Sequence, residues 1–388
     1  MVQKVLLIHY HEMSLKGANR PFFERTLQDN IKKALPKETY TSCEMCYGRI
    51  MVRLTECADE EEVRSRIRTV CGIANFSFAS LLAYDFSLLS EEVLGALAPR
   101  AFATFRVTAR RADKQFPLTS QEINERLGAL IAARLGKRVK LENPDLTCYI
   151  EIVGKNIFFY LEKEKGCGGL PVGSSGKVLS LISSGFDSPV ASWKMMRRGC
   201  EVIFLHFHSY PHTSQASQEN VREIVRVLTK FQHRSILLSI PFLEIQKTIC
   251  AADVPERLRV VLYRRFMMRI AERIAGQEEC KALVTGDSLG QVASQTLENI
   301  VAISSATAMP ILRPLIGENK DDIITTATAI GTAAISAQPY EDCCSLFVPE
   351  HPETRANIAE VERHEMKVEI EKRIADAVAG MTREEINT

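Results

Sequence analysis

The chain has 388 residues, a formal net charge of +1 and 46% hydrophobic residues. This length is sufficient for two or three domains with cores of their own, and the composition excludes a low-complexity or disordered chain. Its eleven cysteines occur without a secretory leader or a run of about 18 apolar residues, so we expect a cytoplasmic protein with reduced thiols and no membrane association.

The first 165 residues alternate short β-like runs with helical patterns. VLLIHY, RIMVRL and TCYIEIVG have the residue types of strands, whereas FFERTLQDNIKKAL and SQEINERLGALIAARL have apolar residues at helical spacing. This predicts one or two small α+β units, with any join between them near residues 72–80.

One segment of this region is strongly basic. Ten Lys or Arg and three Asp or Glu lie between Arg100 and Lys140. Such a surplus of positive charge can neutralise nucleic-acid phosphates, and it can equally be an ordinary solvated surface. Charge alone leaves both interpretations open.

A Gly-, Pro- and Ser-rich stretch, GCGGLPVGSSG at residues 166–176, predicts a linker. After it, VLSLIS, EVIFLHF, SILLSI and ALVTG are apolar on both faces and are separated by helix-length segments. Buried strands that alternate with helices indicate a parallel, doubly wound sheet.

The turn SSGFDS, residues 183–188, follows the first strand of that sheet. Ligands of open parallel sheets bind beyond the carboxyl ends of the strands. Backbone N–H groups at a helix start, the hydroxyls of Ser183, Ser184 and Ser188, and the close approach that Gly185 permits all suit a phosphate. The turn matches neither a Walker A loop nor a dinucleotide fingerprint.

SSGFDS instead resembles the PP-loop of ATP pyrophosphatases, S-G-G-x-D-S, with Ser184 in place of the first Gly. Six further stretches, EMSLKGANRPFFERTL, RRADKQFPLTSQEINERLG, RRFMMRIAERIA, TGDSLGQVASQTLENI, PILRPLIGENKDDI and QPYEDCCSLFVPEHPETR, are similar to successive signatures of the tRNA 4-thiouridine synthetases, also called tRNA sulfurtransferases. The resemblance extends over residues 1 to about 355.

The resemblance implies an α/β architecture of three domains. These are an N-terminal ferredoxin-like α+β domain (1–75), a THUMP RNA-binding domain (76–165) and, after the linker, a doubly wound parallel-sheet PP-loop ATP pyrophosphatase domain (177–388). We expect the short form of the family, without a C-terminal rhodanese domain. Only a polar, helical tail is expected after the matched residues.

The resemblance also assigns candidate site residues. Those implied to bind ATP are Ile182, Ser183, Ser184, Gly185, Ser188, Phe207, His208, Arg264, Gly286, Asp287 and Gln295. Those that would contact RNA phosphates are Arg106, Arg110, Arg111, Lys114, Arg126, Arg134, Lys137 and Arg138. We expect His206 and His208 to face opposite sides of their strand, so that one of them has no role.

Four residues are implied to take part in catalysis. Asp187 would arrange Mg²⁺ and pyrophosphate, and Lys320 would place a positive charge on the polyphosphate. Cys343 and Cys344 would carry and release a persulfide sulfur, or would pack as small buried side chains. No protein metal site is expected, because Cys43 and Cys46 form a C-x-x-C without a second pair at zinc spacing.

The implied function is adenylation of a tRNA uridine, expected at position 8, and replacement of its O4 by sulfur to give 4-thiouridine. ATP and Mg²⁺ would be cofactors, and a cysteine desulfurase the persulfide donor. A sulfur-carrier protein of thiamine thiazole synthesis and a homodimer are further expectations. The alternatives are a tRNA-binding protein with a degenerate ATP site and a PP-loop enzyme that adenylates another acceptor.

Overall fold

The computed structural model describes residues 2–112, 115–339 and 347–388. It forms two compact units, Met1–Leu170 and Pro171–Thr388. No helix in the described ranges is long and apolar enough to cross a bilayer.

The first unit is built on a single nine-stranded sheet. Its strands are β1 (Gln3–His9), β2 (Tyr40–Cys46), β3 (Arg49–Leu54), β4 (Asn75–Ala83), β5 (Thr104–Arg111), β6 (Arg138–Val139), β7 (Leu146–Val153), β8 (Asn156–Tyr160) and β9 (Glu164–Lys165). They lie in the order β2-β3-β1-β4-β8-β7-β5-β6, and β9 pairs with β4. The helices are α1 (Arg20–Ala34), α2 (Glu60–Ile67), α3 (Phe86–Leu97) and α4 (Ser120–Leu135).

Alternation along the strands buries both faces of this sheet. Leu6 and Ile8 of β1 pack in the core that α1 and α2 cover, whereas Val5 and Leu7 pack in a core on the other face. A third core lies beneath α3 and α4. A capping box between Thr119 and Glu122 fixes the start of α4, the helix that carries Arg126 and Arg134.

The second unit has a six-stranded sheet in the order β14-β13-β10-β11-β12-β15. Its strands are β10 (Lys177–Leu181), β11 (Glu201–His208), β12 (Arg234–Pro241), β13 (Leu283–Val284), β14 (Ile311–Leu312) and β15 (Thr382–Asn387). Its helices are α5 (Asp187–Arg197), α6 (Gln215–Thr229), α7 (Leu243–Ala251), α8 (Arg259–Gln277), α9 (Leu297–Ser304), α10 (Lys320–Ile330), α11 (Ala333–Ser336), α12 (Ile358–Glu365) and α13 (Ile370–Ala379).

Strand β10 lies between β11 and β13 and runs parallel to both. The chain therefore extends the sheet from β10 through β11 and β12 on one side, and resumes with β13 on the other. This change of direction leaves a crevice at the carboxyl ends of the three strands.

The C-terminal residues differ from the expected polar, helical tail. Helices α12 and α13 are followed by β15, which pairs antiparallel with β12 and covers that edge of the sheet. The charged sequence TREEIN does not indicate a strand by its composition. It can form one here because edge strands tolerate charged residues that central strands exclude. Arg265 of α8, which has no exposed surface, pairs with Glu365 of α12 at 2.7 Å and holds the tail against the core.

Candidate nucleotide-binding site

A cavity of about 430 Å³ lies at the carboxyl ends of β10, β11 and β13. Nine of the eleven predicted ATP-binding residues and two of the predicted catalytic residues line it: Ile182, Ser183, Gly185, Ser188, Phe207, Arg264, Gly286, Asp287, Gln295, Asp187 and Lys320. The fold thus brings together residues that are far apart in the sequence: more than 130 positions separate Ile182 from Lys320.

The PP-loop turn is braced by its own serines. The Ser183 N–H donates to the Ser188 hydroxyl at 2.9 Å, and the two hydroxyl oxygens are 3.1 Å apart. Helix α5 begins at Asp187, so this carboxylate lies in the first turn of the helix. These two hydroxyls fix the turn, and backbone N–H groups at a helix start are suited to binding phosphate.

Ser184 is a predicted residue that does not line the cavity. It is buried, and its hydroxyl has no hydrogen-bond partner among the described residues. Ser184 is not one of the described non-glycine residues with a positive φ angle. The Ser that replaces the first Gly of the motif is therefore accommodated without left-handed backbone.

The two histidines of β11 correct an expectation. His206 and His208 share a face, with ring centroids 6.4 Å apart, because residues two apart on a strand point the same way. His206 lines the cavity, and its Nδ1 is 3.1 Å from the carbonyl oxygen of Ile182. His208, although predicted for the site, does not line the cavity, and burial lowers the pKa of its imidazole.

A buried acidic centre lies in the cavity wall. Asp287 pairs with Arg264 and, at 3.1 Å, with Arg313, and it accepts a hydrogen bond from Thr285 at 2.7 Å. Burial by itself would raise the pKa of Asp287, but Arg264 and Thr285 outweigh it and lower the pKa to about 2. Arg313 was missed as a site residue, although it stands in the quoted stretch PILRPLIGENKDDI.

A second charged group lies at the rim. The Lys320 Nζ is 2.7 Å from Oδ1 of Asp187, and the Gln291 side-chain amide donates to Oδ2 at 2.8 Å. Both contacts hold the Asp187 carboxylate beside the PP-loop. Gln291 was also missed, and its only sequence signal is its place in the quoted stretch TGDSLGQVASQTLENI.

Gly286 lets the turn after β13 approach the start of α5. A Cβ at this position would lie 2.7 Å from the backbone nitrogen of Ser188 and 2.9 Å from the carbonyl carbon of Asp187. No side chain fits there, so the sequence needs a glycine for the cavity to form.

Helix α11 ends beside the PP-loop. The Ser336 hydroxyl, at the end of α11, donates to the carbonyl oxygen of Gly185 at 3.2 Å. The predicted Cys343 and Cys344 lie outside the described residues, and so does Lys114. Their roles stay predictions.

The predicted RNA-binding residues do not form one continuous row. Arg106 and Arg110 alternate with the buried Phe105, Val107 and Ala109 of β5, so they face away from α4. Arg126 and Arg134 are exposed on α4, and Arg138 is exposed on β6.

Three of the basic residues also have structural contacts. Arg111 donates to the carbonyl oxygens of Phe116 and Leu118, and Arg106 donates to that of Leu141. The Lys137 ammonium lies over the Phe102 ring at 4.9 Å. Among the members of the set that the structure describes, Arg110, Arg126, Arg134 and Arg138 are exposed.

Cys43 and Cys46 of the C-x-x-C pack on opposite faces of the first sheet. Burial raises the pKa of the Cys43 thiol to about 11 and also raises that of Cys46. In the described ranges no three His, Cys, Asp or Glu side chains are grouped as metal ligands.

The parallel sheet, the turn SGFDS at its first strand and the charged rim define a PP-loop nucleotide-binding domain. Residues 173–370 match the family model described as thiamine biosynthesis protein (ThiI), residues 5–77 match the ThiI ferredoxin-like domain, and residues 85–162 match the THUMP domain. The chain belongs to the ThiI family. These matches confirm the predicted family and the predicted order of folds.

Similar proteins carry names that agree with this family. The probable tRNA sulfurtransferase of Thermus thermophilus is 42% identical over 97% of this chain and 93% of its own, and that of Coxiella burnetii is 43% identical over 98% of both. A crystal structure of a 4-thiouridine synthetase–RNA complex with bound ATP is 35% identical, has a TM-score of 0.90, and covers 99% of this chain and 100% of that chain.

Proposed function

We propose that this chain is an ATP-dependent tRNA sulfurtransferase that converts a uridine of tRNA, expected at position 8, to 4-thiouridine. The observation that carries the proposal is the cavity at the PP-loop, with Asp187 and Lys320 at its rim, in a chain that aligns over nearly its whole length with an ATP-bound 4-thiouridine synthetase. Relatives that cover almost the whole chain are named probable tRNA sulfurtransferases.

The cavity has an apolar part and a charged part, and this division orients ATP. Ile182, Phe207 and Met267 supply apolar surface for the adenine ring. The start of α5 and Lys320 supply positive potential for the polyphosphate. The α-phosphate then lies between the two parts.

Mg²⁺ suits the Asp187 carboxylate at this rim. Asp187 is partly exposed, and Mg²⁺ typically binds one or two protein carboxylates, substrate phosphates and water. Asp187 would hold the ion, which would neutralise charge on the departing pyrophosphate. Asp287 is already occupied by two arginines and a threonine hydroxyl, so we expect it to organise the cavity wall.

The reaction has two steps. The uridine O4 attacks the α-phosphorus of ATP, pyrophosphate leaves, and O4 becomes part of a good leaving group. A persulfide on one of Cys343 and Cys344 then attacks C4, and AMP departs with the oxygen. The thiol of the other cysteine attacks the inner sulfur, so that the S–S bond breaks, the two cysteines form a disulfide and the outer sulfur stays on C4; alternatively, the same thiol first releases the outer sulfur as sulfide, which attacks C4. A dithiol then reduces the disulfide. The described residues contribute by positioning ATP and stabilising the charge that develops on pyrophosphate.

Other parts of the molecule serve this chemistry in the proposal. The exposed arginines of the first unit contact tRNA phosphates and position the RNA without reading its bases. A cysteine desulfurase supplies the persulfide in the cytoplasm, and a homodimer is the expected assembly. A sulfur-carrier protein of thiamine thiazole synthesis would be a second acceptor.

A reconstituted assay tests the function. The purified chain, unmodified tRNA, ATP, Mg²⁺, cysteine and a cysteine desulfurase should yield 4-thiouridine, read by its near-ultraviolet absorbance. Asp187→Ala should slow formation by ~10²–10³-fold and leave tRNA binding intact. Asp253→Ala is the matched control, because Asp253 pairs with Lys367 at 2.7 Å as Asp187 does with Lys320, but does not line the cavity.

Exchange of labelled pyrophosphate into ATP separates the alternatives. A tRNA-binding protein with a degenerate ATP site would show no exchange with any acceptor, and a different PP-loop enzyme would show exchange with a sulfur-carrier protein and none with tRNA. Cys343→Ser and Cys344→Ser should retain exchange with tRNA, and at least one of them should lose 4-thiouridine formation. Loss of exchange in both variants would contradict their assignment to sulfur transfer.

A further inference from the structure

A pair of cysteines in the first unit lies apart from the proposed chemistry. The Sγ atoms of Cys71 and Cys167 are 3.3 Å apart, although 96 positions of sequence separate the residues. Both belong to the unit Met1–Leu170, and neither lines the nucleotide cavity.

The backbone around the two thiols is held by regular pairing. Strand β9 pairs antiparallel with the start of β4. The pairing continues beyond β9: the Gly166 N–H donates to the carbonyl oxygen of Ala74 at 3.1 Å, and the Gly168 N–H donates to that of Ile73 at 2.7 Å. The Gly72 N–H donates back to the carbonyl oxygen of Gly168 at 2.8 Å. The sulfur contact is therefore set by fixed backbone on both sides.

Glycine permits this close approach. A Cβ at Gly166 would lie 2.3 Å from the carbonyl oxygen of Ile73, so no side chain fits between the two segments. Gly72 and Gly168, the residues next to the two cysteines, have positive φ angles of 101° and 73°. The turns that aim the thiols at each other depend on these glycines.

The two thiols differ in access to solvent. Cys71 is 1% exposed, whereas Cys167 is only partly buried. A small oxidant can thus reach Cys167, and the Cys71 sulfur lies next to it as the group that resolves the oxidised form.

We propose that Cys71 and Cys167 are a redox modification site that forms a reversible disulfide with a peroxide as the oxidant. The Cys167 thiolate attacks one oxygen of hydrogen peroxide, the O–O bond breaks, and the products are a sulfenic acid and hydroxide, which takes up a proton to become water. The Cys71 sulfur then attacks the sulfenic sulfur, its proton goes to the departing hydroxide, and a second water leaves. Two thiols are oxidised and one peroxide is reduced.

The disulfide closes the loop from residue 71 to residue 167. This loop contains the whole segment that matches the THUMP domain, residues 85–162. Closing a loop of this length lowers the conformational entropy of the unfolded chain, so oxidation should raise the stability of the first unit. A dithiol reverses the bond by exchange.

Peptide mapping after peroxide treatment tests the proposal on the full-length protein. Remaining thiols are alkylated under denaturing conditions, and a cross-linked Cys71–Cys167 peptide that dithiothreitol removes is expected as the main oxidised species. The melting temperature of the unit that contains the pair should rise by roughly 5–10 °C on oxidation and return on reduction.

Two variants complete the test. Cys167→Ser should lose both the cross-link and the temperature shift. Because Cys167 is only partly buried, this substitution disturbs folding less than Cys71→Ser would. Cys57→Ser, which removes an exposed cysteine, should retain both. Stable sulfinic acid at Cys167 without a cross-link, or an unchanged temperature shift in Cys167→Ser, would overturn the proposal.

Discussion

At the scale of single residues, two aspartates of the cavity have different surroundings. Asp287 is buried between Arg264 and Arg313, so its charge is already compensated. Asp187 lies at the rim, where Lys320 and Gln291 hold it but leave part of it exposed. In the proposed function Asp187 exchanges its contact with Lys320 for Mg²⁺. Its partly exposed position at the rim permits this exchange, whereas Asp287 is enclosed by its partners.

Gln291→Ala should slow adenylation because it removes the amide that orients Asp187. A hydrogen bond to a charged group contributes about 1.5–3 kcal/mol, so the rate of pyrophosphate exchange should fall roughly 10- to 100-fold with tRNA affinity unchanged. The control is Asn387→Ala, which removes a 3.5 Å hydrogen bond from an exposed side-chain amide to Glu385 on β15. Equal rates in both variants would remove Gln291 from the site.

Glu151 allows a test of stability against pH. It accepts from Tyr160 at 2.7 Å and pairs with His9 at 3.0 Å and with Arg49. Burial would raise the pKa of Glu151, but its partners His9, Tyr160 and Arg49 lower it from 4.5 to about 2. The ionised form therefore stabilises the fold above pH 4.5, and this contribution is lost as the pH falls towards 2.

Glu151→Gln should consequently lower the free energy of unfolding by roughly 3 kcal/mol near neutral pH, and by less at about pH 3. Urea unfolding at the two pH values measures the difference from wild type. A difference that stays constant with pH would mean that the partners do not act through the charge of Glu151.

At the scale of elements, the cavity depends on how closely the turn after β13 approaches the start of α5. The contact is between backbone and backbone, because Gly286 has no side chain. A side chain at Gly286 would displace the first turn of α5. The N–H groups of that turn could then no longer point towards a phosphate in the cavity.

Gly286→Ala should therefore weaken ATP binding and destabilise the second unit by about 1–3 kcal/mol, the usual cost of an added carbon in a packed site. Gly317→Ala is the matched control, since a Cβ there meets nothing within 4 Å. Calorimetric titration with ATP and thermal unfolding measure the two effects. Normal ATP affinity in Gly286→Ala would show that the helix start tolerates displacement.

At the scale of the whole molecule, the charge is unevenly distributed although the net charge is only +1. The surplus of basic residues lies in the first unit, and the nucleotide cavity lies in the second. In the proposed function the two units thus hold the two substrates, RNA and ATP, by separate surfaces.

Arg126→Ala combined with Arg134→Ala should weaken tRNA binding for all sequences and reduce the slope of log affinity against log salt by about 1–2, because each phosphate contact releases a counterion. The control is Arg234→Ala, an exposed arginine paired with Glu385 at 2.7 Å at the amino end of β12. An unchanged salt slope in the double variant would exclude α4 from the RNA surface.

The sequence by itself determined the elements whose signal is local. Apolar runs of strand length, the helical spacing of α4 and the turn SSGFDS each depend on neighbouring residues, so the doubly wound sheet and its PP-loop turn could be predicted. The resemblance added residues such as Arg264 and Lys320, which no local pattern marks. The strand TREEIN could not be predicted, because its pairing with β12 gives no signal in its own composition.

Only the tertiary structure decided which side chains meet. It placed Gln291 on Asp187 and Arg313 on Asp287, turned His206 into the cavity, and left Ser184 behind the turn. It also brought Cys71 to Cys167 across the whole THUMP segment. The physical reason is the same in each case: these contacts join residues distant in sequence, and their geometry depends on strand order and close backbone packing, which periodicity and composition do not encode.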